Sequence, residues 1–249
     1  MSTTVANWAA PTGVILHASI GMRYTAVLLD IDGTIIDSND AHAQAWLKAL
    51  GRYGHAVDYQ AVRSRIGKGG DKLLAELAGL DSESGQGREI AEVRTQIFKA
   101  ELLPTLKPTP GARAMLEWLR DEHVTVTVAT SATKDEVSDL LRQAGVADLI
   151  GSTATADDAE DSKPDPDIVV AALHKSGAAR EHAILIGDTP YDVAAATAAG
   201  IGTVAFRCGG WTDRDLHGAR AIYDDPADLL ANLTDSPFGP MLRESISGP

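Results

Sequence analysis

Residues 27–38 read VLLDIDGTIIDS. An apolar run ends in Asp30 and Asp32, one residue apart, and Gly33-Thr34 follow. Asp-Gly is a strong turn signal, and strands often end in such turns. That accounts for Asp32 but not for Asp30. In an extended chain residues i and i+2 point to the same side, so a strand that persists through Ile31 aims both carboxylates at one spot. Carboxylates that close repel, and one tends to keep its proton. Such a pair costs stability unless a cation or a reaction uses it.

Working outward, apolar runs recur at residues 25–29, 124–129, 183–187 and 203–206, with weaker ones at 149–153 and 219–223. They are apolar throughout, as expected of strands buried on both faces of a parallel sheet. Helical patterns over 112–122, 134–144, 167–176 and 190–199 fall between them. Pro190 opens one of these, and Gly145, Gly177 and Gly200 close three, which are proper start and stop signals. Alternating strand and helix predicts an α/β fold with a doubly wound parallel sheet.

The alternation breaks once. Between the first strand and Pro108 the patterns are helical, at 39–50, 59–66, 71–80 and 88–102, punctuated by glycines. We read an inserted α-helical domain here, residues 38–107, with Pro104 and KPTPG, residues 107–111, as the return linker. The core is then 23–37 together with 108–235. Residues 1–22 carry no Asp, Glu, Lys or Arg and are read as a flexible extension, with Met22 a candidate start; residues 236–249 are read as a tail.

Lys and Arg number 22 against 35 Asp and Glu, a formal charge of −13. Such a surface repels nucleic acid and anionic lipid, so neither is an expected partner. An anionic substrate needs a local positive centre, either a metal ion or a placed Lys or Arg. The single cysteine, Cys208, rules out an intrachain disulfide and a Cys-rich zinc site, and fits a reducing cytoplasm. No apolar run reaches the ~18 residues of a membrane span.

Three further stretches fall at the carboxyl ends of strands or in loops beside them, the edge where open α/β sheets bind ligands. VTVATSAT places Thr130 and Ser131 there, SKPDPD carries Lys163, and ILIGDTPYD carries Asp188 and Asp192. Each has an ordinary reading: a helix cap at Ser131 or Thr133, a solvated lysine, a cap at Asp188, and a favourable helix-dipole position for Asp192. Hydroxyls and N–H groups ahead of a helix also suit an anion.

The ordered set Asp-x-Asp-Gly-Thr, Thr-Ser, Lys-Pro and Gly-Asp-x-x-x-Asp resembles the haloacid dehalogenase (HAD) superfamily. Over about residues 24–230 it is most similar to the branch of phosphatases with a helical cap, which includes phosphoglycolate phosphatases and β-phosphoglucomutases. The resemblance implies Asp30 as a nucleophile that forms an aspartyl-phosphate. Asp32 would protonate the leaving oxygen and then deprotonate water. Thr130 and the Ser131 amide would hold phosphoryl oxygens, and Lys163 would bridge the phosphate and Asp30. Asp30 and Asp188, with the Asp32 carbonyl, would bind Mg²⁺, a hard ion that takes oxygen ligands and keeps waters. Asp192 would orient water or the loop beside the metal. Relatives that cleave carbon–halogen or phosphorus–carbon bonds lack an aspartate at the second position, so Asp32 points to phosphate esters.

In the insert, His42 and Trp46 share a helix face. Trp46 reads as core, and His42 as a support near Asp32 or a substrate contact; similar mutases have a histidine at this spacing. RSRIGKGGDK, residues 63–72, is either a plain helix–helix turn or a loop whose Lys68 meets an anionic tail. The expected activity is Mg²⁺-dependent hydrolysis of a small phosphorylated metabolite, as in phosphoglycolate phosphatases. The alternatives are a sugar phosphomutase and a catalytically weak phosphate-binding regulator. A mutase needs a second phosphate site in its cap, supplied in similar enzymes by a loop arginine; aligned on Gly67, Gly70 stands in that place. The sequence leaves open the physiological substrate and the oligomeric state, monomer or dimer.

Overall fold

The computed structural model describes residues 24–239. The extension expected over 1–22, Met22 included, and residues 240–249 lie outside the described residues. Six parallel strands form one sheet in the order β3-β2-β1-β4-β5-β6. They are β1 (Ala26–Leu29), β2 (Thr125–Ala129), β3 (Ser152–Ala154), β4 (Ala183–Gly187), β5 (Gly202–Phe206) and β6 (Ala221–Tyr223). β1 and β4 are buried along their whole length, which is why they read as unbroken apolar runs. Alternate residues serve opposite faces. Val27, Leu29, Ile184 and Ile186 belong to one hydrophobic cluster, and Ala26, Leu28 and Leu185 to the other.

Four helices separate β1 from the rest of the sheet in sequence: α1 (Asn39–Arg52), α2 (Tyr59–Arg63), α3 (Gly70–Ala78) and α4 (Gly85–Ile97). α4 runs on through a π turn over Phe98–Leu102. Later come α5 (Ala112–Asp121), α6 (Lys134–Gln143), α7 (Asp167–Ser176), α8 (Pro190–Ala198) and α9 (Pro226–Ala231). α5, α6 and α9 supply Met115, Leu140 and Leu229 to the Val27 face. α7 and α8 supply Ile168, Ala172, Ala195 and Ala196 to the other face. The inserted helices extend the first cluster without a break, through Trp46, Leu74, Ile90 and Phe98.

The chain enters and leaves the insert side by side. Asp37 N–H donates to the Lys107 carbonyl at 3.0 Å, and Thr109 N–H donates to the Ile35 carbonyl at 3.0 Å. Some boundaries differ from the sequence expectation. α4 begins three residues earlier than the expected 88, because Ser84 caps it by accepting from Gly87 N–H at 3.0 Å. The strand expected at 149–153 forms at 152–154, since Ala147–Leu149 makes a short 3-10 turn. Phe238 is fully buried, edge-on to Tyr24 and Trp118, so packed chain continues past residue 235. Phe238→Ala is expected to cost about 3–5 kcal/mol, read as a lower urea midpoint with unchanged slope.

Candidate active site

The strand order fixes where the site lies. The chain works outward from β1 through β2 and β3, then returns to place β4 on β1's other side. The reversal leaves a crevice beyond the carboxyl ends of β1 and β4. Asp30 follows β1 and Asp188 follows β4, and Asp30 N–H donates to the Ile186 carbonyl at 2.9 Å. The backbone then coils tightly, with Ile35 N–H donating to the Ile31 carbonyl at 2.8 Å. That coil carries Thr34 to Asp188 and Ser38 to Asp32. Both Asp30 and Asp32 line one cavity of about 550 Å³ beneath the insert.

Lys163 is 1% exposed, and its ammonium has three donors. They go to Asp30 Oδ1 at 2.6 Å, Asp192 Oδ1 at 2.7 Å and the Ala129 carbonyl at 2.7 Å. Burial disfavours the charge, but Asp192 and Asp30 outweigh it and hold Lys163 above the ordinary lysine range. Asp192 also accepts from the N–H and hydroxyl of Thr189, at 3.0 and 2.6 Å. Thr189, not Asp188, caps α8, and Asp192 completes the capping box. The cap of α6 is Thr133 and not Ser131.

Asp188 is fully buried and accepts from Thr34 Oγ1 at 3.0 Å and Asn39 Nδ2 at 2.8 Å. Burial, then the charge of Asp192, push its carboxyl up to about 8 against these two donors. Asp30 is likewise raised, first by burial and then by Asp192, Asp188 and Asp32, with Lys163 opposing. Among the described residues, oxygens of Asp30, Asp188 and Asp192 lie within 4.8 Å of one another. Three buried carboxylates share the one ammonium of Lys163, which leaves negative charge uncompensated, and their all-oxygen donor set fits a hard divalent cation.

Asp32 differs. Burial raises its pKa, yet His42, Ser38 and Arg94 overcome that and hold it below the usual carboxylate range. Its Oδ1 accepts from Ser38 Oγ at 2.5 Å and pairs with His42 Nε2 at 2.7 Å. Ser38 precedes α1 and makes no side-chain cap bond, because its hydroxyl is turned to Asp32.

Thr130 and Ser131 follow β2 and line the same cavity. Thr130 Oγ1 accepts from Ala132 N–H at 3.2 Å, and Ser131 Oγ is buried without a partner among the described residues. A buried hydroxyl left unpaired marks a place for a ligand or water. Lys68 lines the cavity from the insert, 2.5 Å from Glu76 Oε1 and over the Tyr191 ring. The structure thus gathers Asp30, Asp32, Thr130, Ser131 and His42 on one cavity, with Lys163, Asp188 and Asp192 packed behind Asp30.

Sequence reasoning passed over Arg94 and Glu136. Arg94 shares a face of α4 with Ile90 and Ile97, both buried. A charge inside an apolar stripe was the available signal. Glu136 is 4% exposed in the first turn of α6, where an acid is ordinarily explained by the helix dipole.

The family model "Haloacid dehalogenase-like hydrolase" matches residues 27–206. The chain belongs to that family. It is a HAD enzyme of the phosphatase branch. It is 31% identical to a phosphoglycolate phosphatase of Rhodospirillum rubrum, over 82% of this chain and 88% of the relative. It is 25% identical to the fructose-1-phosphate phosphatase YqaB of Escherichia coli, over 74% and 97%. A hydrolase crystal structure from Pseudomonas syringae superposes with a TM-score of 0.79 at 30% identity, covering 85% of this chain and 98% of that one.

Glycines clamp the acidic cluster. A Cβ on Gly209 would run into the Asp188 carboxylate, and one on Gly33, whose φ is +75°, would strike Asp188 and Asn39. Gly209→Ala is therefore expected to abolish most of any melting-temperature gain from a divalent cation. The raised Asp188 carboxyl binds its proton more tightly folded than unfolded. That stabilisation is present at low pH and is lost as pH rises through about 8. A cation that replaces the proton should raise the melting temperature more at pH 8 than at pH 5. Equal gains at both would contradict this account of the cluster.

Proposed function

We propose that this protein is a Mg²⁺-dependent phosphatase of small phosphomonoesters, working through an aspartyl-phosphate on Asp30. The observation that carries this is the split between two neighbouring carboxylates. Asp30 sits with Lys163 and the acidic cluster, and Asp32 sits with His42 and Ser38. Groups whose environments push their pKa values apart are suited to different roles.

Asp30 attacks phosphorus and the bond to the leaving oxygen breaks, while the Asp32 carboxyl gives that oxygen a proton. Water then attacks the phosphoryl group as Asp32 takes its proton. The phosphorus–oxygen bond to Asp30 breaks and inorganic phosphate leaves. A phosphate dianion beside Asp32 raises its affinity for a proton, which is when the first step needs one. Asp30 and Asp188 would hold Mg²⁺, with the Asp32 carbonyl, and Asp192 would steady the site. The ion supplies charge to offset repulsion between carboxylate and phosphate. Lys163 keeps Asp30 oriented; since all three of its N–H groups are in use, touching phosphate requires exchanging a partner. Thr130 and Ser131 take phosphoryl oxygens.

The insert acts as a cap that excludes water and selects the leaving group. Both cavity-lining cations already have partners, Lys68 with Glu76 and Arg94 with Glu136. Asp71, Glu83, Glu136, Glu160 and Asp161 line the same space. This supports a neutral, hydroxyl-bearing leaving group over a carboxylated one. Lys68 then serves the wall more than an anionic tail. The fructose-1-phosphate phosphatase, more than the phosphoglycolate phosphatase, has a substrate of that kind. Hydrolysis is favoured over mutase chemistry. A Cβ on Gly70 would lie 2.9 Å from the Trp46 ring, so a side chain in the place of the mutase arginine would require that ring to shift.

Asp30→Asn is expected to fold normally and lose about 10³-fold or more in kcat. Excess chelator should silence the wild type and Mg²⁺ restore it. Asp32→Asn, acid-quenched during turnover of an aryl phosphate, should accumulate phosphoenzyme. Full activity of Asp30→Asn, or activity that persists in chelator, would sink the mechanism.

Turnover of phosphate esters should release inorganic phosphate steadily without a bisphosphate activator, with hexose phosphates hydrolysed at higher kcat/KM than phosphoglycolate. Interconversion of β-glucose 1-phosphate and glucose 6-phosphate, faster than phosphate release, would establish the mutase instead.

A further inference from the structure

Where the chain enters the insert, two neighbouring residues divide the acids between them. Ser38 gives its hydroxyl to Asp32, and Asn39, the first residue of α1, turns to Asp188. An asparagine at a helix start is ordinarily a cap or turn residue. Here its side chain is drawn inward and is 2% exposed. Its Nδ2 donates to Asp188 Oδ2 at 2.8 Å and to the Gly209 carbonyl at 3.3 Å. Its Oδ1 is buried and has no partner among the described residues.

The neighbours fix which end of the amide faces which way. A backbone carbonyl only accepts, and so does an ionised carboxylate. A carboxylate that holds a cation is ionised, so the NH₂ group must face both Asp188 and Gly209. Bare glycine backbone packs against each partner of this bond. A Cβ on Gly33 would strike Asn39 Nδ2, and one on Gly209 would strike Asp188 Oδ2. The donor side of Asn39 has substitutes. The Gly209 carbonyl also accepts from Arg63 at 2.5 Å, and Thr34 donates to Asp188 Oδ1. The acceptor side has none, and an acceptor buried without a donor is costly.

The cluster of Asp30, Asp188 and Asp192 suggests what supplies that donor. A hard divalent cation held by few carboxylates keeps several waters, and each such water donates strongly. We propose that Asn39 is a positioning residue for the cation: its NH₂ group holds Asp188, and its Oδ1 accepts from a water bound to the ion. This rests on the reading that Asp30 and Asp188 hold a divalent cation. It adds a residue of the insert to the metal site, so the insert helps to hold the ion as well as covering the substrate.

The probe is Mn²⁺, which like Mg²⁺ favours octahedral oxygen sites. Its binding to the protein without substrate is read from loss of the free-ion electron paramagnetic resonance signal. Residues that orient a metal's ligands are worth about 10–100-fold in its affinity. Asn39→Leu, close to asparagine in size, should weaken Mn²⁺ binding about 10-fold or more, with an unchanged circular dichroism spectrum. If the wild type binds no Mn²⁺, the cation reading falls and the inference falls with it. If the wild type binds Mn²⁺ and folded Asn39→Leu binds it equally well, the inference alone is overturned.

Lost affinity would also follow from the missing donor to Asp188, so the acceptor is tested directly in the wild type, where the folding of a variant does not enter. In crystals grown with Mn²⁺, the ion is located by its anomalous scattering. A water bound to it should lie within hydrogen-bond distance of Asn39 Oδ1. An Oδ1 that meets the ion itself, a water that touches no ion, or no water at all would overturn the proposal whatever the affinity of the variant.

Discussion

The buried ammonium of Lys163 is the interaction on which the rest of this arrangement depends. It ties the end of β1 through Asp30, the end of β2 through the Ala129 carbonyl, and the start of α8 through Asp192. A buried charge persists only when paired and fully hydrogen-bonded, and here each of its donors is matched. Asp192 is shared between Lys163 and the capping box of α8. The local rule that starts the helix thus also aims the anion. Asp188 makes no hydrogen bond to this ammonium, whose three donors are taken, and is held by Thr34 and Asn39, neutral donors. Its raised proton affinity follows from burial and the charge of Asp192, and it is what a divalent cation would relieve.

The acids at the end of β1 are two residues apart and line one cavity, yet they behave oppositely. Asp30 turns toward the acidic cluster, so burial and like charges dominate. Asp32 turns toward Ser38, His42 and Arg94, so hydrogen bonds and positive charge dominate. The divergence depends on the tight coil after Ile31, which only a glycine at position 33 permits. Gly33 has φ of +75°, and any Cβ there would collide with Asp188 and Asn39. The turn that first looked like an ordinary strand ending is what separates the two environments.

The layered fold was largely legible because its signals are local. β4 and α7 lie where the apolar run at 183–187 and the pattern at 167–176 place them, since burial on both faces and Gly177 leave little choice. Acids at the ends of apolar strands were legible because they break a pattern. Arg94 and Glu136 were not, because each looks ordinary on its own helix. They become a pair only when α4 packs opposite α6, 42 residues away in sequence. Lys68 shows the same limit: it was legible as a cation in a loop, but its neutralisation by Glu76 is set by how α3 follows that loop. Thr189 took the cap expected of Asp188 because the capping box needs the residue three before Asp192.

Support for Asp32 and shape of the cavity draw on the same side chains, and this constrains how the site can vary. Trp46 lines the cavity, crowds any side chain at Gly70, and lies beneath Arg94. Phe98 stacks on His42 and also carries Arg94. Enlarging the cavity at Trp46 would loosen the guanidinium that meets His42, and with it the contact between His42 and Asp32. The shape of the cavity and the support of Asp32 are therefore not separable at this wall. The walls with more freedom are those whose side chains do not join this chain, such as Leu73 and Leu74 of α3 and the segment bearing Glu160 and Asp161. A change of substrate that spares the chemistry has to be made there.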